Sequence, residues 1–600
     1  MWRSGAAALL LSAALAGAAA AQVPDTAVVD TLLTDSLRRS PDQTQKLLDG
    51  ETLARERVPV VPRLGAPAPG PALSRLVLDR DSIDWHNAET VGDLLEAQPG
   101  VYLWRSGWIG RPDYPNYQGR GAAAVQYILD GVPYVPLGPD STSVDPTQFP
   151  LTLLDRVEIE RWPGRLVVRL YTPQYDRLAP RSRIIVAAGD RKFARFAGGL
   201  ERRYASGIGY TLAADYLNAP ARSGIGTDVQ NSSVLVQGSY VPSARAGLQY
   251  QLLRTSIDRR SWQLDIPGDT IGAPLKGDRS DVQVRGFIRQ GGAGRAAQAD
   301  VVLGSSRWTG SKVDQSLSFL RLGGTLTRPT WQVDGALSSW SRWTTFEGRV
   351  DGGWTPLPGV GVRGEAVHQG HDGGRQSDWV GLMAGATLPT RLALTATARF
   401  GSQVFSPSLA TDRAQDVRDW RVAAGWQHRV LGLEGAWVHT GAFTPQAFQP
   451  YLSVPRLGPV AAADWLEVSA RLSPRQWLLF EARYGDPQRT RPEGLPPTHS
   501  IVTATIRSKF LRQYRSGIFD LKLQLAMETW GHGVIGEDSL GTPITLKGAT
   551  YFRAQVQFQL GSFMLYYDRM NLRGTELGYV PGFVIPTGGQ TFGVRWQFVN

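Results

Sequence analysis

The sequence holds 600 residues with no cysteine, 67 glycines and 19 each of tryptophan, tyrosine and phenylalanine, and its formal net charge is +11. The lack of cysteine excludes a disulfide framework, and no apolar stretch after residue 21 approaches the roughly 20 residues that a membrane helix needs. The arginines are spread along the chain and form no basic run among aromatic residues, which argues against nucleic acid as a partner.

The N-terminus has the pattern of a secretory signal peptide. Arg3 supplies the positive charge, residues 6–15 form an apolar core, and three alanines at 19–21 precede Gln22 as a small-residue cleavage site. We therefore expect residues 1–21 to be removed and the mature chain to be exported to the periplasm, the outer membrane or the exterior.

Residues 22–74 are polar and rich in proline, with five prolines between positions 59 and 71. This composition predicts a flexible periplasmic arm. Near its start, a short β-prone segment could add a strand to the sheet of a partner protein, or it could be ordinary linker. The segment consists of Asp25, Thr26, Ala27, Val28 and Val29.

Residues 75–180 are predicted to form a small α+β domain. Strand signals lie at 75–79, 125–129, 156–161 and 165–170, and residues 118–121 mark the end of another strand. A helix is predicted at 91–97, where Val91, Leu94 and Leu95 share one face and a Gln-Pro-Gly sequence follows as a stop.

Four segments of this domain resemble, in order and spacing, the plug domain of the TonB-dependent outer-membrane receptors. LLEAQPGV, QGRGA, VQYILDGVPY and LDRVEIERWPG are similar to the family's helix stop, its RG strand end, its DGVP turn and its ER-IEV-RGP strand. The matching positions are Pro99, Gly100, Arg120, Gly121, Asp130, Gly131, Arg156, Glu158, Pro163 and Gly164. The glycine-rich segment that normally follows the last motif is missing, because Gly164 leads directly into the next strand. The resemblance therefore implies a shortened plug.

From residue 181 to residue 600, apolar and polar residues alternate in segments of about 10 to 14 residues, as in transmembrane β-strands. Ala554 and Val556, for example, face one way, while Arg553 and Gln555 face the other. This period predicts an all-β membrane protein, an antiparallel transmembrane β-barrel of about 22 strands. The resemblance implies that the small α+β plug domain lies inside its lumen. Short turns should face the periplasm and longer links the exterior, although one outer link, near residue 343, is short. The predicted strand starts lie near residues 182, 193, 207, 230, 243, 279, 295, 315, 330, 343, 357, 377, 391, 417, 430, 462, 476, 498, 517, 545, 562 and 588.

The last segment places Phe592, Val594, Trp596 and Phe598 on one lipid-facing side. It resembles the terminal strand that the barrel-assembly machinery recognises, which makes this machinery an expected partner. Four tryptophans near strand ends are expected in the aromatic girdles at the membrane surfaces, with interior packing as the alternative for each. These are Trp308, Trp343, Trp354 and Trp530.

The loop between residues 102 and 117 is the predicted binding site. In the family, apical plug loops face the exterior and contact the cargo, so the resemblance implies ligand-facing roles for Trp104, Arg105, Trp108, Arg111, Tyr114 and Tyr117. Aromatic rings offer stacking surface, and arginine offers a fork for carboxylate or phosphate. The equally weighted alternative is that these aromatics wedge the plug against the barrel wall. Charged plug residues need partners in a protein-lined lumen, so structural ion pairs are expected for Arg120, Asp130, Glu158, Glu160 and Arg161.

The sequence contains no catalytic motif, and its seven histidines are scattered, so we expect neither an enzyme nor a bound cofactor or metal.

The resemblance implies an outer-membrane receptor that takes up a scarce solute by energised rearrangement of the plug. A metal chelate, a corrinoid, an oligosaccharide or a peptide would each fit as cargo. A further expected partner is a TonB-type energy transducer in the periplasm, because residues 25–29 resemble the TonB box, the family's contact segment near the N-terminus. Outer-membrane lipid and lipopolysaccharide are also expected partners. The alternative is a plugged barrel with a structural or surface-binding role and no energised transport. A general porin is disfavoured because a plug blocks passive flow.

Overall fold

The computed structural model describes residues 56–105, 110, 112–139, 142–219, 229–259, 262–263, 270–271, 275–292, 294–311, 313–445, 458–488, 498–538, 540–575 and 589–599. The predicted signal peptide, the segment 25–29 and the loop residues Trp108 and Arg111 lie outside these ranges. The chain divides into residues 1–57 and residues 58–600, and the strands and helices of the described residues lie in the second unit. No helix in the described part of the chain is long and apolar enough to cross a membrane.

The plug domain contains seven short strands and two short helices. They are β1 (Arg75–Asp79), α1 (Arg80–His86), α2 (Val91–Glu96), β2 (Val101–Arg105), β3 (Asp113–Tyr117), β4 (Val125–Leu129), β5 (Val132–Pro133), β6 (Arg156–Trp162) and β7 (Arg165–Tyr171). Five strands form one sheet in the order β1–β6–β7–β4–β5, with β4 and β7 parallel. Strands β2 and β3 form a separate antiparallel hairpin. Single turns of 3-10 helix lie at Ala122–Ala124, Pro146–Gln148, Leu151–Leu153, Asp190–Lys192 and Asp372–Gly374.

Local capping explains where the two plug helices begin. The Asp79 carboxylate accepts a hydrogen bond from the Ser82 amide at the start of α1. At α2, Thr90 and Asp93 form a reciprocal capping box, and the helix buries the apolar face that the sequence predicts. Helix α1 is absent from the prediction because Ile83 is its single buried side chain, which leaves no apolar period to detect. Residues 118–121, predicted as a strand end, form a turn, because β3 already ends at Tyr117.

Residues 58–74, which we call the strap, differ from the prediction of a flexible arm. Barrel side chains hydrogen-bond to the backbone of the strap along its length: Arg285 to Pro62 O (2.5 Å), Gln332 to Ala66 O (3.1 Å), Asp351 to Ala68 N (3.3 Å) and Thr395 to Ala72 O (2.7 Å). Leu64 is also buried, at 3% exposure. Prolines disfavour regular structure but permit an extended strap, and the wall supplies the hydrogen bonds that the strap's backbone lacks.

The second part of the chain closes into a barrel of 22 strands, as predicted. Its strands are β8 (Arg181–Gly189), β9 (Ala194–Arg203), β10 (Ile208–Asn218), β11 (Val229–Ser243), β12 (Ala246–Arg259), β15 (Leu275–Gly292), β16 (Arg295–Gly310), β17 (Asp314–Thr327), β18 (Trp331–Trp340), β19 (Thr344–Leu357), β20 (Val360–His371), β21 (Gln376–Thr387), β22 (Leu392–Gln403), β23 (Gln415–Gln427), β24 (Leu431–Thr440), β25 (Ala463–Arg475), β26 (Leu478–Pro487), β27 (His499–Ser508), β28 (Phe519–Trp530), β31 (Ala549–Leu560), β32 (Phe563–Arg569) and β33 (Gln590–Val599). Small hairpins, β13 (Trp262–Gln263) with β14 (Thr270–Ile271) and β29 (Gly533–Glu537) with β30 (Pro543–Leu546), lie in the outer links. Antiparallel pairing of β33 with β8, from Thr591 opposite Gly189 to Val599 opposite Arg181, closes the barrel.

The alternation that predicts the strands also sorts the barrel's side chains. On β17 and β22, Leu322 and Phe400 lie on the outer surface, whereas Arg321 and Arg399 are buried inside. The apolar outer face and polar inner face are those of a barrel in a lipid bilayer. Of the tryptophans predicted for the girdles, Trp354 is exposed on the outside, whereas Trp308 and Trp530 are buried in the interior.

Candidate functional site

Buried ion pairs tie the plug to the barrel wall. Among the described residues these pairs include Arg120–Asp419 (2.7 Å), Arg161–Glu434 (2.8 Å), Arg165–Glu365 (2.5 Å) and Glu160–Arg363 (2.7 Å). The prediction of structural ion pairs is therefore confirmed for Arg120, Glu160 and Arg161. The partners are 200 or more residues apart in sequence, so no local pattern could identify the barrel half of each pair.

Gly164 shows why the last plug motif ends in glycine. Its φ of +65° lies in the left-handed region, where other residues are strained. A Cβ at this position would lie 2.8 Å from Arg120 Nε and closer still to the Asp419 carboxylate. A larger residue would therefore disturb the Arg120–Asp419 pair directly.

Of the remaining charged motif residues, Glu158 makes ion pairs within the plug, whereas Asp130 contacts both the plug and the barrel wall. Glu158 pairs with Arg156 at 2.6 Å and with Arg75 at 3.6 Å. The prediction of an ion pair is wrong for Asp130. It accepts hydrogen bonds from Thr172 and from Gln251 of the barrel, and it has no ion pair among the described residues.

Two motif segments form turns in the plug. Pro99 and Gly100 follow α2, and the Gly100 carbonyl accepts a hydrogen bond from the Gln118 amide at 2.9 Å. Pro163 and Gly164 connect β6 to β7 directly. The plug sheet therefore contains no loop where the family's glycine-rich segment would stand.

The C-terminal end of α1 is clamped by the barrel. Its last carbonyls accept hydrogen bonds from four barrel side chains: Arg595 and Gln557 at Asp84 O, Lys522 and Gln557 at Trp85 O, and Gln555 at His86 O. Two basic side chains also lie over the Trp85 ring, Arg507 at 4.5 Å and Lys522 at 4.4 Å from its centre. Cations favour the carbonyl end of a helix, so this clamp is electrostatically matched. The sequence analysis missed it together with α1.

The predicted ligand-facing aromatics that the structure describes are buried. Trp104, Tyr114 and Tyr117 are 1%, 7% and 0% exposed. Trp104 and Tyr114 share an apolar cluster with barrel residues that include Phe443, Trp465 and Trp530. This placement favours the alternative in which these aromatics wedge the plug against the wall.

Arg105 borders an internal cavity of about 230 Å³ between the plug and the wall. Its guanidinium contacts Asp93 at 2.7 Å, Glu96 at 2.9 Å and Asp113 at 3.6 Å. The cavity is lined by α1 and α2 on one side and by β26, β27, β28 and β31 on the other. We call it the inner cavity.

Carboxylates beside the inner cavity have shifted acidities. Burial raises the pKa of Glu96 to about 7, an effect that Glu528 reinforces and Arg105 opposes. Burial also raises the pKa of Asp113 well above its ordinary value. For Asp93, burial is outweighed by Arg105 and other cations, so its pKa is lowered.

A second cavity, of about 140 Å³, lies between the plug apex and the outer ends of β17 to β22. We call it the outer cleft. Its aromatic side chains are Tyr127, Tyr134, Trp340, Trp343, Trp379 and Phe405. The sequence analysis singled out Trp343 and its short link but did not connect them to a cavity.

Within the described ranges, no three His, Asp or Glu side chains are grouped so that they could hold a metal ion.

Residues 71–167 match the family model of the TonB-dependent receptor plug domain. Solved structures with the same fold include a variant of the ferric enterobactin receptor PfeA from Pseudomonas aeruginosa, with 12% identity and a TM-score of 0.67 over 88% of this chain and 98% of that one. The siderophore receptor PirA from Acinetobacter baumannii has 10% identity and a TM-score of 0.67 over 88% of this chain and 98% of that one. The FrpB iron transporter from Neisseria meningitidis has 8% identity and a TM-score of 0.67 over 89% and 100% of the two chains.

Proposed function

Given that the chain has the plug domain and the fold of a TonB-dependent outer-membrane receptor, we propose that it takes up a scarce solute across the outer membrane by energised rearrangement of its plug. A TonB-type transducer in the periplasm binds the N-terminal arm, with Asp25, Thr26, Ala27, Val28 and Val29 as the contact segment. The cargo is a metal chelate, a corrinoid, an oligosaccharide or a peptide. Lipid and lipopolysaccharide surround the apolar outer face, and the barrel-assembly machinery recognises the last strand.

This proposal is supported mainly by the polar contacts, ion pairs and hydrogen bonds, that hold the plug against the barrel wall. Buried ion pairs such as Arg165–Glu365 and the clamp on α1 hold it, and water can replace each of these contacts as the plug moves. A charge pair is costly to break in a dry interior but cheap to break once both groups are hydrated. An interface of this kind suits a plug that must be both tight and releasable.

The inner cavity supports a route for the cargo along one side of the plug. It extends from Thr505 and Leu479, near the short-turn ends of their strands, towards Glu528 and Tyr551 near the outer ends. Release of the clamp on α1 would widen this space without dissolving the plug sheet. The proposed rearrangement therefore begins with α1 rather than with β6 and β7.

The alternative function is a plugged barrel with a structural or surface-binding role. The direct connection of β6 to β7 favours it, because the family's glycine-rich segment is missing from the plug. Binding of the transducer separates the two functions.

The first experiment measures this binding with the full-length protein in detergent. The C-terminal domain of the transducer should be retained by the wild type and not by a variant lacking residues 25–29. If the wild type does not retain it and the deletion leaves uptake unchanged, energised transport is refuted and the alternative stands. If the wild type retains it and the deletion changes neither retention nor uptake, residues 25–29 are not the contact segment.

A second experiment locks the plug to the wall. Thr152 Oγ1 and Asp215 Oδ2 lie 2.5 Å apart across the interface, so the T152C/D215C variant should form a disulfide in a chain that has no other cysteine. The matched control is S233C/T255C, which joins two neighbouring barrel strands whose hydroxyls lie 3.1 Å apart.

Uptake is measured with labelled ferric chelates, cobalamin and oligosaccharides. The oxidised plug lock should abolish uptake of whichever probe the wild type imports, reduction should restore it, and the control should transport normally in both states. Uptake by the oxidised T152C/D215C variant at the wild-type rate would refute rearrangement of the plug.

A further inference from the structure

The outer cleft contains hydrogen-bond donors without acceptors. Tyr127 Oη, Trp340 Nε1 and Arg165 Nε are buried atoms on side chains that line the cleft, and none finds a hydrogen-bond partner among the described residues. The three residues are 1%, 7% and 2% exposed. Buried polar groups are nearly always paired in folded proteins, and an occupant with acceptor atoms would pair the three donors whose side chains share this cavity. Burial also raises the pKa of Tyr127, which keeps its hydroxyl protonated and able to donate.

The walls of the cleft are aromatic. Trp340 and Trp343 line it on the barrel side together with Phe405, and Tyr127 and Tyr134 line it on the plug side. Aromatic faces carry partial negative charge and attract the C–H edges of a ring that stacks on them. An occupant whose ring has apolar faces could stack on the aromatic walls, and oxygen atoms at the rim of that ring could accept hydrogen bonds from the unpaired donors.

The charges of the cleft are already balanced. Arg165 is paired with Glu365 at 2.5 Å, and the two other charged side chains that line the cleft, Glu347 and Arg342, have opposite signs. A site built for a multiply charged anion would present uncompensated cations. The compensated charges therefore favour an uncharged occupant.

Trp343 is held in the cleft in a strained conformation. Its φ of +66° is rare for a large side chain. Asp372 maintains it, because the Trp343 amide donates to the Asp372 carboxylate at 2.6 Å and the Asp372 amide donates to the Trp343 carbonyl at 2.8 Å. Backbone strain that is maintained in this way is concentrated at binding sites. The short outer link between β18 and β19 thus holds the Trp343 indole against the segment of the plug that contains Val135 and Leu137.

We propose that the outer cleft binds one sugar ring of an uncharged oligosaccharide, with Tyr127, Trp340 and Arg165 donating to its oxygen atoms. This inference rests on the proposed uptake function and names its substrate class. The ring stacks on the aromatic wall, and the rest of the oligosaccharide extends outward past the exposed Arg342.

The test uses the full-length protein in detergent and four uncharged probes: maltotetraose, cellotetraose, xylotetraose and tetra-N-acetylchitotetraose. Titration calorimetry and tryptophan fluorescence should show saturable binding of at least one probe. Y127F and W340F should each weaken that binding at least fivefold, because each removes a donor.

Two control variants make the same chemical change outside the cleft. Tyr117 Oη and Trp162 Nε1 are also buried without a partner among the described residues, and neither side chain lines the cleft. Y117F and W162F should leave binding within twofold of the wild type. Y127F should melt no lower than Y117F, so reduced binding cannot be attributed to a damaged fold.

Three results would overturn the proposal: no probe binds, a ferric catecholate binds and the sugars do not, or Y127F binds as tightly as Y117F. Retention of the transducer domain is measured on the same preparation. Retention without sugar binding refutes the substrate class and leaves the proposed function intact. Binding of a sugar without retention of the transducer domain supports the proposed sugar site in the outer cleft and refutes energised transport.

Discussion

Replacing Arg165 by methionine should loosen the plug by about 3 kcal/mol. The Arg165–Glu365 pair has a 2.5 Å contact, and both side chains are almost fully buried, at 2% and 0% exposure. Removing one member of such a pair costs about 3–5 kcal/mol, since the remaining charge stays buried. Glu365 would keep its contacts with Arg349 at 3.2 Å and with Trp379 at 3.4 Å, which places the loss at the lower end of that range.

The assay measures how often the plug opens. Thr152 is 7% exposed and lies in the plug–barrel interface, so the Thr152→Cys substitution introduces a single thiol that a maleimide reaches only after the plug moves. A loss of 3 kcal/mol corresponds to roughly a hundredfold increase in the open population, and the rate at which this thiol is labelled should rise by that factor.

A matched control removes an arginine from an exposed pair. Arg254 lies 3.2 Å from Asp278, with side chains 60% and 36% exposed. In the same Thr152→Cys background, Arg254→Met should change the labelling rate by less than about fivefold, because exposed pairs contribute about 0–1 kcal/mol. If the labelling rate of the Arg165→Met variant lies within fivefold of the rate of the Thr152→Cys protein, the buried Arg165–Glu365 pair does not anchor the plug.

Three further predictions test other parts of the interface. Gly164→Ala should destabilise the plug by about 2 kcal/mol or more, from its positive φ and the contact with the Arg120–Asp419 pair, whereas Gly435→Ala, which meets open space, should change its melting temperature little. Leu64→Ala should cost about 3 kcal/mol by leaving a cavity under the strap, and an unchanged melting temperature would mean that the strap is not packed. The raised pKa of Glu96 means that the folded state binds more protons than the unfolded state between the ordinary value of 4.5 and about 7. Stability should therefore fall as pH rises through that window and should be flatter in Glu96→Gln; equal pH slopes in thermal melts of the two proteins would contradict this.

Local patterns predicted the barrel closely. The side-chain period of a strand depends only on the backbone, so alternation, together with the even strand count that the family resemblance implies, located the 22 strands. Among the starts, β15 begins at Leu275 where 279 is predicted, and β31 begins at Ala549 where 545 is predicted. Turn residues and motif order identified the plug for the same reason, because caps and tight turns depend on a few adjacent residues.

The functional assignments depended on contacts that no local pattern contains. Trp104 and Tyr114 have the composition of a binding loop, but whether such rings face a ligand or a wall depends on strands more than 300 residues away. The strap illustrates the same limit, since its prolines indicate a flexible arm until barrel side chains supply the hydrogen bonds that its backbone lacks.

The sequence by itself determined the plug motifs and the strand period, because these follow from interactions between residues close together in the chain. The tertiary structure alone decided which charges meet, as for Arg165 and Glu365, and which polar atoms are left without a partner, as for Tyr127 and Trp340. The physical reason is that desolvation and pairing are properties of a buried place in the fold, and residues far apart in sequence create that place together.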